Sequence, residues 1–146
     1  MGYFWSDIRN FESREWRKDW HKVDLRLVRL VDEWTSFAKT KFATSCIINV
    51  AWDDDGHQSG SWHFTGMAVD CFLVGVPLIH QWQLAERFPF TGIGLYPFWK
   101  NPGLHLDIRP QSGSRSARWW RDEENMYIDF DDKLMKILLG EFRAIP

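Results

Sequence analysis

The stretch LHLDIR, residues 104–109, limits what this 146-residue chain can become. Side chains alternate across an extended strand. Leu104, Leu106 and Ile108 therefore share one face, and His105, Asp107 and Arg109 share the other. The first face needs a core to cover it. The second sets an imidazole, a carboxylate and a guanidinium side by side. It suits either the floor of a chemical site or the solvated side of a half-buried sheet. In both cases the chain has to build a sheet with one apolar side.

A second stretch, SWHFTGMAVD at 61–70, bears on that choice. GMAVDCFLV (66–74) reads as a strand with Met67, Val69 and Cys71 on one face and Ala68, Asp70 and Phe72 on the other. An aspartate between alanine and phenylalanine on an apolar strand is costly unless it is paired or bound to a metal. Gly66 lets the chain reverse tightly enough for His63 and Asp70 to converge. With His105 they make a set of two histidines and one carboxylate. Three protein ligands and a fourth position left to water are the usual pattern of a catalytic zinc site.

The remaining pattern supplies a scaffold. Residues 1–20 are charged and aromatic without clean periodicity, an irregular arm or a short helix. From His21 to Lys41, Leu27, Leu30, Val31, Trp34 and Ala38 recur at helical spacing. CIINVAW (46–52) reads as a strand and DDDGHQSGS (53–61) as a polar loop. LIHQWQLAER (78–87) reads as a short helix after Pro77. TGIGLYPF (91–98) and LHLDIRP (104–110) read as strands, and QSGSRSA (111–117) as a loop. RWWRDEENMYIDF (118–130) offers a final strand near Met126–Phe130, and Asp131 or Asp132 caps a last helix. Short turns between strands favour a central antiparallel sheet with helices packed on it, a single α+β domain.

Composition narrows the function classes. The net charge of -2 argues against a nucleic-acid backbone as main partner. Two cysteines, Cys46 and Cys71, are too few for a disulfide framework and read as buried free thiols. No apolar stretch approaches the roughly 18 residues that span a bilayer, and no secretory signal is present, so the chain is expected to be made in the cytoplasm. Ten tryptophans imply either a core built from large rings or aromatic walls around a groove.

At these residues the chain resembles the zinc DD-peptidase superfamily, which also includes the fold of the Hedgehog signalling domain. Its signature is SxHxxGxAxD followed by a strand carrying HxD or HxH. Ser61, His63, Gly66, Ala68 and Asp70 fill the first motif, and His105-Leu106-Asp107 the second. GIGLYPFWKNPGLHLDIR resembles a subgroup reading GxGxYxx…HxDxR, with Gly92, Gly94, Tyr96, His105, Asp107 and Arg109 in matching positions. The resemblance covers about residues 46–120.

The resemblance implies one zinc ion on His63, Asp70 and His105, with Ser61 bracing the loop. It implies a monomeric peptidase cutting an amide bond in peptidoglycan stem peptides or cross-links, as endopeptidase or carboxypeptidase. A phage-type lytic enzyme is one setting. A zinc-holding recognition module of the same fold is the alternative.

Two positions depart from the pattern. Many members place an acidic base three residues before the last ligand, where this chain has Pro102. Asp107 is the first replacement as general base; it could instead orient His105 or bind the metal. Members also often carry an arginine in the strand before the loop, and here Arg109 stands in for it. Tyr96 could donate to the tetrahedral intermediate or simply pack in the core. His57 reads as a solvated loop histidine or a substrate contact, and His21 and His80 as structural.

Overall fold

The structure, a computed structural model, describes residues 3–57, 60–111 and 117–140. Most of the expected 111–117 loop lies outside the described residues. Six strands form one sheet: β1 (Cys46–Val50), β2 (Ala68–Leu73), β3 (Gly92–Tyr96), β4 (Gly103–Asp107), β5 (Ala117–Arg121) and β6 (Tyr127–Ile128). Their spatial order is β1-β2-β4-β3-β5-β6. The helices are α1 (Tyr3–Ser6), α2 (Leu25–Phe42), α3 (Leu78–Ala85) and α4 (Asp132–Leu138). The fold is α+β in one domain.

The sheet is mixed, which corrects the antiparallel expectation. β1–β2, β2–β4, β3–β4 and β5–β6 pair antiparallel, but β3–β5 pair parallel. The reason lies in where the chain re-enters. β4 returns from β3 and fills the slot between β2 and β3. It ends at Asp107, opposite Gly92, and β5 starts beside that same Gly92 with Ala117. Starting from the end where β3 starts, β5 runs parallel to it. β5 itself escapes the sequence reading because adjacent tryptophans between arginines show no alternation. The strand expected near Met126–Phe130 is the two-residue β6.

One face of the sheet carries the core. Val69, Cys71 and Leu73 of β2, Ile93 and Leu95 of β3, and Leu104 and Leu106 of β4 are buried there. They belong to one cluster with Leu27, Val31 and Trp34 of α2 and Leu84 of α3. α2 begins later than the pattern suggests. The Asp24 carboxylate accepts from Arg26 N and caps it, while residues 20–22 form a separate 3-10 turn. Asp131 caps α4 by accepting from Leu134 N. The N-terminal arm is partly helical and not peripheral: Ile8, Phe11 and Trp16 are buried. Cys46 and Cys71 are buried free thiols. Among the described residues no helix is long and apolar enough to cross a membrane.

Candidate metal centre

The opposite face of the sheet is built around one row of residues. Asp70 of β2 pairs with His105 of β4, His105 with Gly94 of β3, and Gly94 with Trp119 of β5. All four point to the same side. Gly94 has to be a glycine here. A Cβ there would stand 2.5 Å from Trp119 Cε2, and the Trp119 ring reaches past Gly94 to lie 4.9 Å from His105. Gly92 does the same for Asp107: a Cβ would stand 2.1 Å from its Oδ2. The two glycines of GxG thus clear the ground for the side chains that flank His105.

His63 arrives from outside the sheet. It sits in a 3-10 turn, Trp62–Thr65, where Ser61 Oγ accepts from His63 N at 3.3 Å. Gly66 closes the turn with a φ of 75°, and a Cβ there would stand 2.1 Å from Lys22 O. Both the backbone conformation and the close approach therefore require glycine.

Partners assign the ring tautomers. His63 Nδ1 lies 2.8 Å from Ala51 O. A carbonyl only accepts, so Nδ1 carries a proton, and Nε2 is the nitrogen that faces Asp70 Oδ1, 3.2 Å away. His105 Nε2 lies 2.7 Å from Asp107 Oδ2 and donates to it, leaving Nδ1 at 3.1 Å from the same Asp70 Oδ1. A tetrahedral zinc site with bonds near 2.0–2.1 Å has ligand atoms about 3.3 Å apart. The two separations from Asp70 Oδ1, 3.2 and 3.1 Å, fit such an edge. His63, Asp70 and His105 are all buried, and their ligand atoms lie within 4.8 Å of one another. The group could hold a metal ion.

The electrostatics of the cluster point the same way. Burial opposes the charge of Asp70, but hydrogen bonds from His105 and then His63 outweigh it and hold the carboxyl well below the usual range. Burial likewise works against a charged His105, yet Asp107 and then Asp70 raise it to about 9. Asp107 is brought down to about 2, because His105 and Arg109 overcome its burial. The cluster is arranged to hold positive charge between two carboxylates.

Asp107 is where the geometry favours the second of the roles open in the sequence, orientation of His105, over that of base. It is 0% exposed and does not line the groove. Its oxygens are taken by His105 Nε2 and by Arg109 N, Nε and Nη2. The two ring nitrogens of an imidazole point away from each other. A metal at Nδ1 and a carboxylate at Nε2 therefore lie on opposite flanks of His105. The geometry fits orientation of His105 and not proton abstraction at the metal.

The groove above the triad has a volume of about 690 Å³. His63, Asp70, Tyr96, His105 and Arg109 line it, together with His57, Trp62, Trp99, Trp119, Arg121 and Tyr127. The Arg109 guanidinium lies between Trp62 and Trp119, 5.7 and 5.1 Å from their rings. Tyr96 stacks on Trp99 at 4.1 Å, and burial followed by the Asp70 charge pushes its phenol up, so it stays a donor. His57 is not a solvated loop residue. It stacks on His63 with centroids 4.3 Å apart, and its Nε2 meets Asp53 Oδ2 at 3.1 Å. His21 and His80 lie off the groove. Sequence reasoning weighed tryptophan walls in general but gave no signal for Trp119 or Arg121, whose strand it did not resolve. The chain matches no protein-family model, and a search of curated proteins gives no significant match.

Proposed function

We propose that the chain is a zinc-dependent peptidase that hydrolyses an amide bond in peptidoglycan stem peptides or cross-links. The observation that carries this reading is the prepared ligand set: each histidine has its far nitrogen committed to an acceptor and its near nitrogen turned to Asp70. Such outer partners fix ring orientation and raise ligand basicity. His63, Asp70 and His105 would hold the zinc, which supplies Lewis acidity toward a carbonyl and toward water. The protein's own groups do the rest. Tyr96 donates to the oxygen that gains charge. His57, the groove histidine outside the ligand set, takes the proton that the attacking water gives up and returns it to the leaving amine, with Asp53 fixing its ring. Asp107 and Arg109 hold His105 in place.

One observation favours a second reading, a zinc-holding recognition module. Among the described lining residues Asp70 is the sole carboxylate, and it belongs to the ligand set. Elemental analysis of the purified protein and mass spectrometry of muropeptides, digested with and without chelator, separate the two. Zinc with chelator-sensitive cleavage supports the peptidase. Zinc without cleavage selects the recognition module, and absence of bound metal overturns both.

A further inference from the structure

The groove holds two guanidinium groups, and they are not equivalent. Arg109 gives Nε and Nη2 to the buried Asp107 carboxylate, so its charge is matched locally. Arg121 stands on β5, two residues beyond Trp119 and on the same face. Its Nε donates to Asn125 O at 3.3 Å, and its guanidinium lies 5.1 Å from the Tyr127 ring centroid. Among the described residues, arginine ion pairs belong to Arg14, Arg26, Arg109 and Arg118. Of the three acids that follow Arg121, Glu124 makes no ion pair among the described residues, and the other two have partners of their own. Asp122 accepts from Glu124 N and Met126 N, and Glu123 pairs with Lys133. A cation at the wall of a groove, with no acid paired to it among the described residues, can take an anion from outside.

Strand geometry places that anion. Gly94 lies opposite both His105 and Trp119, so Arg121 starts two strands and two residues away from His105. With about 4.8 Å between strands and 3.4 Å per residue, the Cα positions are ~12 Å apart, a gap that the long side chain can shorten by turning from Asn125 and Tyr127 toward the row. An extended peptide covers about 3.3–3.6 Å per residue. A ligand lying across the row therefore meets Arg121 one or two residues from the group at the metal ligands. The planar guanidinium fork matches a carboxylate with two parallel hydrogen bonds.

We propose that Arg121 is the specificity-determining residue of this groove and holds a substrate carboxylate one or two residues from the cleaved amide. The carboxylate is a chain end or an acidic side chain; the chemistry at Arg121 is the same. The inference rests on the peptidase reading for the fate of the bound peptide, while binding requires only the groove.

The test titrates tryptophan fluorescence of chelator-treated full-length protein, since Trp99 and Trp119 line the groove. The probes are N-acetyl-dialanine with a free carboxylate, its carboxamide, and an N-acetyl dipeptide amide with a glutamate side chain. At least one acid form is expected to bind about tenfold or more tighter than the carboxamide, and the tighter one names the source. Arg121→Gln erases the preference. Arg121→Lys keeps part of it, because charge remains and the fork is lost. Equal binding of acid and amide by the unmodified protein overturns the proposal, as does a preference that survives Arg121→Gln. Should Arg121→Gln fail to fold, Arg121→Lys and salt decide: an acid preference unchanged by both overturns it. Cleavage of the same peptides by zinc-loaded protein is scored separately. Acid-selective binding without any cleavage removes the peptidase reading and leaves this one. Cleavage without acid selectivity does the reverse.

Discussion

Asp107 Oδ2 receives His105 Nε2 at 2.7 Å while the same carboxylate carries Arg109. The pair joins the groove wall to the ligand set. It also turns a candidate base into a positioning group, since the carboxylate lies on the far flank of the imidazole from Nδ1. Two consequences follow for a metal at Nδ1. The ring cannot rotate without breaking the Asp107 bond, and the negative partner strengthens the ligand.

Asp107→Ala should therefore lose metal before it loses chemistry. Removing such a partner typically costs about 10–100-fold in metal affinity. It also leaves Arg109 without its acid and a void beside Gly92, so stability falls as well. Asp107→Asn keeps an acceptor for His105 Nε2 and should fall less. Zinc competition against a chromogenic chelator measures both. Unchanged zinc affinity with cleavage abolished would return Asp107 to the role of base.

The pH response of the metal-free protein has a definite sign. His105 is raised from 6.5 to about 9. Its contribution to stability is complete below 6.5 and disappears as pH climbs through about 9. Asp70 and Asp107 are lowered, so their contribution is present above the ordinary carboxylate range and is lost as pH falls. Chelator-treated protein should thus melt at lower temperature at pH ~9 than at pH ~6. Zinc must displace the proton on His105 Nδ1, so the stabilisation it brings should widen over the same interval. Thermal melts with and without zinc across this range check it, and a zinc effect that shrinks with pH would contradict a proton held on His105 Nδ1.

Of the candidate triad, Asp70 and His105 were legible because local alternation exposes them, while His63 was legible only through the turn at Gly66. Asp70 between Ala68 and Phe72, and His105 between Leu104 and Leu106, mark one face of two strands without any tertiary information. What the sequence hides are relations set by the chain's path. The parallel β3–β5 pair depends on the end at which β5 enters. The role of Asp107 depends on which ring nitrogen it meets. His57 stacks on His63 because the 53–57 loop folds back over the site, with Lys18 of the arm holding Asp53 at 2.9 Å. No periodicity encodes that return.

The GxG pair separates packing from ligation. Gly94→Ala pushes a methyl into the Trp119 ring, and Gly92→Ala pushes one into the Asp107 carboxylate. Both overpack and should cost about 1–3 kcal/mol. Gly92→Ala alone displaces the partner of His105 and should also weaken zinc binding. Urea melts give the stability and chelator competition the affinity. Equal zinc loss in both variants would show that Trp119, and not Asp107, sets the His105 ring.

His57 supplies the sharpest distinction between enzyme and recognition module. It lines the groove, covers the face of His63 and has its Nε2 fixed by Asp53, yet it offers no atom to the ligand set. If it takes the proton during hydrolysis, His57→Gln removes a general base while leaving zinc bound. General acid–base groups contribute about 10²–10⁴-fold, so kcat should fall by about that factor. KM should change little, because the groove's arginines and tryptophans remain. Asp53→Asn loosens the His57 ring without removing it and should cost less. Zinc content by elemental analysis and single-turnover cleavage of a muropeptide read the two effects apart. Loss of zinc in His57→Gln would make the residue a lid on His63, and full turnover would leave the groove without a protein base.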